Sequence, residues 1–97
     1  MLRVKEILEF VWDKGNIGKN KKHDVEDKEA EEVFFDEDKK IYKDILHSAQ
    51  EERYILLGKT KKRRLLYTVF TIRDKKIRII SARDINKKEV ILYEKTT

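Results

Sequence analysis

One short segment of the sequence holds the residue types that acid–base chemistry needs, namely His47, Glu51, Glu52 and Arg53. Histidine and glutamate accept and release protons, and an arginine fork holds two oxygens of an anion at once. The two glutamates would point to opposite faces of a strand, so at most one of them faces a given site. An isolated histidine ahead of a strand is more often a surface hydrogen-bonding residue than a catalyst, so a solvated turn is the simpler interpretation.

Further arginines lie on or at the ends of later apolar runs, at Arg64, Arg73, Arg78 and Arg83. Arg78 lies inside the apolar run IRII, so it must contact a carboxylate, a groove or a phosphate, because an unpaired charge there would be costly. Cleavage of RNA without a metal needs a base for the 2′-hydroxyl, cations for the phosphate and an acid for the departing oxygen. The chain contains residue types for all of these roles.

The acidic and basic residues are segregated along the chain, although the formal net charge is only +5. Residues 24–38 hold nine acidic residues and one basic residue, whereas residues 53–88 hold thirteen basic and two acidic ones. A one-sided positive field is typical of proteins that bind polyanions, because each cation placed on a phosphate releases counterions. A solubilising surface is the alternative, but the segregation favours nucleic acid. The basic turn KTKKRR at residues 59–64 would steer RNA rather than react with it.

Composition and motifs exclude several classes of protein. The chain has no cysteine, and so no disulfide, thiolate zinc site or thiol redox chemistry. We expect no metal and no cofactor, since the two histidines are widely separated and no nucleotide-binding or nucleophile motif occurs. No apolar run approaches the roughly 18 to 20 residues of a membrane span and no apolar export signal is present, so we expect a cytoplasmic protein with no membrane contact. The length of 97 residues predicts a single domain, 1–97.

The N-terminal part of the chain predicts a strand, a loop and a helix. ILEFVW at residues 7–12 is almost wholly apolar and predicts a first strand. Residues 13–24 have only Ile17 to bury and predict a loop or a short helix. Apolar residues at helical spacing predict a helix over residues 27–35, with Asp27 at its start as a cap and an acidic first turn.

Four later runs predict strands: KKIYKDIL, ERYILLGKT, RLLYTVFTI and KKIRIISAR. The connections between the last three are of hairpin length, which predicts an antiparallel meander. RLLYTVFTI is apolar on both faces, so we expect it to be a central strand covered by a helix on at least one side.

The end of the chain predicts a helix over residues 87–95. Asn86 and Glu89 form a capping-box pair, and the apolar residues that flank them form a hydrophobic staple. A strand at VILY is the competing interpretation. The elements together predict an α+β fold with an antiparallel sheet of about four to five strands.

Three tyrosines offer a further route to nucleic acid, because aromatic rings stack the bases of single-stranded RNA. Tyr54, Tyr67 and Tyr93 lie in predicted strands and in the predicted last helix. That spacing favours packing in the core over base stacking.

The order of several blocks resembles a known family, in EFVWD (9–13), KKHDV (21–25), EAEEVFFD (29–36), HSAQEERYILLGKT (47–60), RLLYTVFTIRDKKIRIISAR (64–83) and KKEVILYE (87–94). The series covers nearly the whole chain and resembles the BrnT toxins of type II toxin–antitoxin modules. VFTIRDKKIRIISAR is its most specific part. The resemblance implies a RelE-like ribonuclease fold, with an antiparallel sheet, N-terminal helices and a C-terminal helix. It also implies RNA cleavage that halts translation, and a BrnA-type antitoxin that alone contacts operator DNA.

Two positions depart from the family pattern. The family usually has glycine where this chain has Asp24, a position that would need a left-handed turn, which aspartate tolerates better than most residues. The family favours a basic pair where this chain has Val90 and Ile91 in its last helix. That change indicates an apolar surface facing a partner rather than an RNA contact.

Our leading hypothesis is a metal-independent endoribonuclease toxin whose acidic helix, residues 27–35, lies away from the RNA groove. The candidate catalytic residues are His47, Glu51, Glu52, Arg64, Arg78 and Arg83. The candidate RNA-binding residues are Lys22, His23, Arg53, Lys61, Lys62, Arg63 and Arg73. The rival hypothesis is a basic nucleic-acid-binding module without catalysis, which explains the charge equally well. An antitoxin could neutralise the toxin by covering the same arginines with carboxylates.

Overall fold

A computed structural model of the chain describes residues 9–47 and 51–95, without the side chain of His47. Within these residues the regular elements are β1 (Lys40–Lys43), β2 (Tyr54–Lys59), β3 (Leu65–Arg73), β4 (Lys76–Asp84), α1 (Asp27–Glu32) and α2 (Lys87–Glu94). Short 3₁₀ helices occupy Lys19–His23, Val33–Phe35 and Ile45–His47. The predicted α+β class is confirmed.

The strands form one antiparallel sheet in the order β1-β2-β3-β4. Each strand pairs with its neighbour in sequence, because short turns join β2 to β3 and β3 to β4. The predicted meander is therefore confirmed. β3 lies between β2 and β4, as its two apolar faces predicted.

The pairing register assigns each strand residue to a face of the sheet, because partners in an antiparallel pair point to the same side. One face, here called the helix face, packs under α1. Its buried apolar residues are Leu56, Leu66, Phe70, Ile77, Ile79 and Ala82, which share one core with Ala30, Val33 and Phe34. The opposite face, here called the outer face, carries Leu57, Tyr67, Val69, Thr71, Arg73, Arg78 and Arg83. α2 covers one end of the outer face, where Leu57 is buried.

The core beneath α1 is built around aromatic rings. Phe34 lies edge-on between Phe10 and Phe70, at ring-centroid distances of 5.2 and 5.0 Å. Tyr54 stacks on Phe70 at 5.4 Å. Edge-on and offset contacts of this kind add to the stabilisation that comes from burying apolar area.

The first strand predicted at residues 7–12 is wrong within the described residues. Residues 7 and 8 lie outside them, and Phe10 makes only an isolated parallel bridge to Ile77 of β4. The Val11 amide donates to the Ile77 carbonyl at 2.8 Å, and the chain then turns away at Asp13. Phe10 is held by packing on the core rather than by a strand ladder.

The helix predicted over residues 27–35 is confirmed, with a change of helix type inside it. α1 ends at Glu32, and the 3₁₀ helix Val33–Phe35 continues it. Asp27 is not the cap that we predicted, because the N-cap position is Glu26 and has no side-chain cap hydrogen bond. The Asp27 carboxylate instead accepts hydrogen bonds from the Gly18 amide at 3.0 and 3.1 Å.

The terminal helix is confirmed, and the competing strand at VILY is wrong. The Asn86 side chain accepts from the Glu89 amide, and the Glu89 carboxylate accepts from the Asn86 amide, both at 2.9 Å. This reciprocal capping box satisfies two amides that a helix start leaves without partners. No helix in the described part of the chain is long and apolar enough to cross a membrane.

Gly58 of β2 allows α1 and its 3₁₀ extension to approach the sheet. A Cβ atom at this position would lie 2.8 Å from the Val33 carbonyl oxygen and 2.8 Å from a methyl of Leu56.

We expect Gly58→Ala to lower the free energy of unfolding by about 1 to 3 kcal/mol, because overpacking forces the backbone to shift. Urea unfolding checks this, with the exposed Lys87→Ala as a control that changes stability by less than about 0.5 kcal/mol. An unchanged unfolding midpoint in Gly58→Ala would contradict the close approach.

Candidate nucleic-acid interface

The acidic and basic segments, separate in sequence, lie against each other in space. The turn between β2 and β3 reaches the acidic face of α1, where the Lys61 amide donates to the Glu32 carboxylate at 3.0 Å. A shallow cavity here has mixed charge and is lined by Glu26, Lys28, Glu29, Glu32, Lys61 and Lys62. Opposite charges at this end therefore offset one another. The predicted RNA-binding residues Lys61, Lys62 and Arg63 all lie at this turn.

Arg64 uses all five of its N–H groups inside the fold. It donates to both carboxylate oxygens of Asp84 at 2.6 and 3.1 Å and to Glu29 at 3.1 Å. It also donates to the carbonyl oxygens of Asp24 at 2.6 Å and His23 at 3.2 Å. The hydrogen bond from Arg64 lowers the pKa of Asp84. No donor of Arg64 is left for a phosphate. That the acidic helix lies away from the RNA groove stays a prediction, and α1 packs on the helix face, opposite the outer face.

The turn that presents these carbonyls to Arg64 is left-handed. Asp24 has φ 58° and ψ 35°, so the departure from glycine is accommodated as we expected for aspartate. Lys22 and His23 are exposed in the 3₁₀ helix Lys19–His23 beside it. Both residues therefore lie at the Arg64 end of the sheet.

A second cluster of arginines lies at the other end of β3, on the outer face. Arg73 donates to Glu51 at 2.6 and 2.8 Å, and Arg78 donates to Asp13 at 2.7 Å. We call Asp13, Glu51, Arg73 and Arg78 the paired-arginine site. The hydrogen bond from Arg78 lowers the pKa of Asp13, and the charge of Arg73 adds to this shift. The charge of Arg73 therefore acts on the neighbouring Arg78–Asp13 ion pair as well as on Glu51.

The pKa of Glu51 is lowered first by its hydrogen bond from Arg73, and the charge of Arg53 contributes to the shift. Arg64 and Arg73 are nine positions apart along extended chain, a distance of roughly 30 Å at the usual rise per residue. The two ends of β3 therefore cannot hold the same phosphate. Of the predicted arginines, the structure brings Arg73 and Arg78 together and leaves Arg64 apart.

The paired-arginine site keeps hydrogen-bond donors for a ligand. Within the described residues, Arg78 donates through a single Nη atom and Arg73 through Nε and one Nη. The Arg78 side chain is only 14% exposed, so its charge is partly desolvated. A desolvated guanidinium attracts an anion more strongly than one in bulk water.

Residues 13–24 were predicted to form a loop or a short helix, but the contact of their first residues with Arg78 was not predicted. The Asp13 carboxylate accepts from the Gly15 amide at 2.8 Å, and buried Asn16 donates to the Ile79 carbonyl at 3.0 Å. A Cβ atom on Gly15 would lie 2.4 Å from an Nη atom of Arg78. The sequence did indicate that Arg78 needs a carboxylate partner, but it did not identify which of the many carboxylates in the chain that partner is.

Glu51 and Glu52 point in opposite directions, as predicted, although both lie just ahead of β2. Glu52 accepts from Lys43 at 3.0 Å and from the Tyr54 hydroxyl at 2.9 Å, on the helix face. Both contacts lower the pKa of Glu52, and the hydrogen bond from Lys43 has the larger effect. Only Glu51 faces the paired-arginine site. The side chain of His47 lies outside the described part of the structure.

Arg83 holds α2 against the outer face. It donates to both oxygens of Glu89 at 2.9 and 2.8 Å, and its guanidinium carbon lies 4.0 Å from the centroid of the Tyr67 ring. The ring is therefore covered by Arg83. Tyr93 is buried and donates to Asp36 at 2.7 Å. Together with Tyr54 on Phe70, these contacts favour packing over base stacking for the three tyrosines.

The fold and its outer face define a small α+β protein that carries an arginine–carboxylate site on an antiparallel sheet. A family model described as "Ribonuclease toxin, BrnT, of type II toxin-antitoxin system" matches residues 12–89. The chain belongs to this family, which confirms the resemblance seen in its sequence. It is a ribonuclease toxin of a type II toxin–antitoxin system, with RNA as its substrate and an antitoxin as its partner. No curated protein matches the chain.

The Arg83–Glu89 pair predicts a pH-dependent contribution to stability. Burial opposes ionisation of Glu89, but the Arg83 and Asn86 hydrogen bonds outweigh it, and the pKa is lowered overall. A carboxylate whose pKa is lowered by folding stabilises the fold at pH values above the ordinary glutamate pKa. This stabilisation is lost as the pH falls through the pKa of Glu89 in the folded protein. We expect Glu89→Gln to cost about 1.5 to 3 kcal/mol at pH 7 and distinctly less at pH 3. Urea unfolding at both pH values measures this, with exposed Glu94→Gln as the control. An equal loss at both pH values would exclude the ion pair as its cause.

Proposed function

We propose that the chain is a metal-independent endoribonuclease that cuts RNA at the paired-arginine site, inhibits translation and is neutralised by a BrnA-type antitoxin. Membership of the ribonuclease toxin family supports this proposal. The observation that carries the choice of site is the grouping of Arg73, Arg78 and Glu51 on one face, with donors to spare.

A phosphate of the RNA replaces Glu51 on Arg73 and binds the Nη atom of Arg78 that Asp13 leaves free. The guanidinium of Arg78 is held by the Asp13–Asn16 loop, so its fork is already oriented when the phosphate arrives. Arg73 is more exposed and supplies a second fork from the adjacent end of β3. Charge that builds on the phosphate oxygens during cleavage is stabilised by both cations.

Glu51 is the proton acceptor in this proposal. The 2′-hydroxyl oxygen attacks phosphorus, its proton passes to Glu51, and the bond from phosphorus to the 5′-oxygen breaks. The departing 5′-oxygen takes a proton from an acid, for which His47 remains our candidate. The products are a 2′,3′-cyclic phosphate and a 5′-hydroxyl, so no water or metal enters the step.

Arg73 links substrate binding to the basicity of Glu51. In the free protein the Arg73 hydrogen bond holds the pKa of Glu51 low, so the carboxylate is ionised at neutral pH. A phosphate that takes over Arg73 removes this stabilisation and adds a negative charge nearby, and both effects raise the pKa of Glu51. The carboxylate becomes a better base when RNA is bound.

The remaining predicted residues take supporting roles in the proposal. Arg64 and Arg83 hold the architecture through their ion pairs rather than touch the reacting atoms, and Glu52 faces away. Exposed cations steer RNA toward the sheet, namely Lys22, His23, Lys61, Lys62 and Arg63, and Arg53 acts near Glu51. Operator DNA is contacted only through the antitoxin.

RNA cleavage by the purified chain, with a labelled transcript and excess EDTA, tests the enzyme. We expect Glu51→Gln and Arg78→Ala each to lower the cleavage rate by roughly a hundredfold or more. Lys28→Ala, which removes an exposed cation on α1, is the matched control and leaves the rate unchanged. Products ending in a cyclic phosphate identify the reaction.

The outcomes separate the proposal from its rival. Salt-sensitive RNA binding without cleavage by the wild-type chain favours a non-catalytic binding module. Cleavage that EDTA abolishes contradicts metal independence. Translation is followed in cells by amino-acid incorporation after induction, and continued incorporation with intact RNA would contradict the toxin activity proposed for this chain.

Gly15→Ala tests whether the loop positions Arg78. The new methyl group occupies the place of the Arg78 guanidinium, so the fork must move while the rest of the core is untouched. We expect a loss of cleavage rate of about tenfold to a hundredfold, because small misplacements of a catalytic group are costly. The far-ultraviolet circular dichroism should stay as in the wild type. Gly18 has φ 67°, so Gly18→Ala strains the backbone of the same loop without contacting Arg78, and as the control it should leave the cleavage rate unchanged.

A further inference from the structure

Thr71 is a buried polar residue beside both arginines of the paired-arginine site. It lies on β3, two positions before Arg73, and only 1% of its surface is exposed. Its cross-strand partner on β4 is Arg78. Alternate residues of a strand share a face, and so do residues paired across an antiparallel ladder. Thr71 is therefore the neighbour of both arginines on the outer face.

A β-bulge in β4 produces this arrangement. The register of β3 with β4 shifts after Val69, and Ile80 is the extra residue on β4. Without the extra residue, Arg78 would lie opposite Ile72 and would point to the helix face. Bulges often lie beside functional sites, where they change the direction of a side chain. Here the bulge places Arg78 opposite Thr71.

The Thr71 hydroxyl holds the segment that carries Glu51. It donates to the carbonyl oxygen of Glu52 at 2.8 Å, which joins β3 to the residues ahead of β2. The ladder between β2 and β3 ends at Tyr54, so this hydrogen bond lies beyond the last paired residues. The backbone beside Glu51 is thus anchored by a contact that does not depend on the ion pair with Arg73.

The same hydroxyl acts on the charge of Glu51. The pKa of the Glu51 carboxyl is lowered first by the Arg73 hydrogen bond, and a hydrogen bond from Thr71 and the charge of Arg53 lower it further. Arg73 faces Glu51 from β3, Arg53 acts from the segment of Glu51 itself, and Asp13 acts on Arg73 from its loop. A substitution at Thr71 leaves these charges in place. A change in the pKa of Glu51 then reports the loss of the hydroxyl.

We propose that Thr71 is a positioning residue for RNA cleavage, whose hydroxyl keeps the Glu51 carboxylate beside Arg78 once RNA has displaced that carboxylate from Arg73. This inference rests on the proposed function. A phosphate on Arg73 removes the ion pair that fixes Glu51 in the free protein. Proton transfer needs hydrogen-bond contact, so a base that rotates away is a poor acceptor. The hydrogen bond from Thr71 remains, because this residue is buried.

Thr71→Val tests the proposal, because it removes the hydroxyl and keeps the branched side chain. We expect the kcat of RNA cleavage to fall about tenfold with KM unchanged, since the arginines that bind phosphate are untouched. Thr71→Ser keeps the hydroxyl and should restore most of the rate.

Thr68→Val is the matched control for the loss of a buried hydroxyl. Thr68 lies on the same strand and is also fully buried, but on the helix face. Its hydroxyl has no hydrogen-bond partner among the described residues. We expect this variant to cleave RNA at the wild-type rate.

Carboxyl ¹³C NMR titration of Glu51 gives a second measurement, which does not depend on cleavage. In the free protein the pKa of Glu51 should be higher in Thr71→Val than in the wild type, because a hydrogen bond that favours the carboxylate is lost. Thr71→Ser and Thr68→Val should keep the wild-type value. An unchanged Glu51 pKa in Thr71→Val, in a chain that cleaves RNA, overturns the proposal for Thr71 and leaves the proposed enzyme standing.

The kinetic outcomes also separate the alternatives. An equal fall of kcat in Thr71→Val and Thr71→Ser would assign the loss to packing and overturn the proposal. A higher KM with unchanged kcat would do the same, because it would place Thr71 in RNA binding. A wild-type chain that binds RNA without cleaving it overturns the proposed function itself, and the role of Thr71 falls with it.

Discussion

The guanidinium of Arg64 holds together the parts of the molecule on which its architecture depends. Its five hydrogen bonds join the start of β3 to the end of β4, to α1 and to the left-handed turn at Asp24. The acidic α1 is thereby fixed over the sheet, and the apolar side of that helix closes the core. The opposite end of β3 is left free of this clamp, and Arg73 and Arg78 lie there, whereas Arg83 pairs with Glu89 near the start of β3. Arg64 thus has no donor left, while Arg73 and Arg78 keep donors that no described residue takes up.

The regular elements could be predicted because each has a local cause. β2, β3 and β4 alternate or run apolar between short turns, and α2 carries its own capping box in Asn86 and Glu89. The failure at residues 7–12 is equally physical. An apolar run can reach the core through one aromatic ring, as Phe10 does, without forming a strand ladder.

The candidate site could be predicted only in part. Residue types indicated arginines and a glutamate, and the alternation of side chains correctly separated Glu51 from Glu52. Which carboxylate meets which arginine could not be predicted, because the chain has 24 basic and 19 acidic residues and their pairing depends on tertiary distance. Arg64 and Arg78 have the same side chain, yet one is saturated and the other is not.

In the proposed function, the carboxylates beside Arg73 and Arg78 have a consequence for which anions bind there. An intramolecular carboxylate acts at a high effective concentration, so a single free phosphate or sulfate ion would compete poorly with Glu51 for Arg73. An RNA that presents several phosphates at once would compete better, because each further phosphate placed on a lysine or arginine releases counterions. The ion pairs would then make binding depend on how many phosphates one molecule carries.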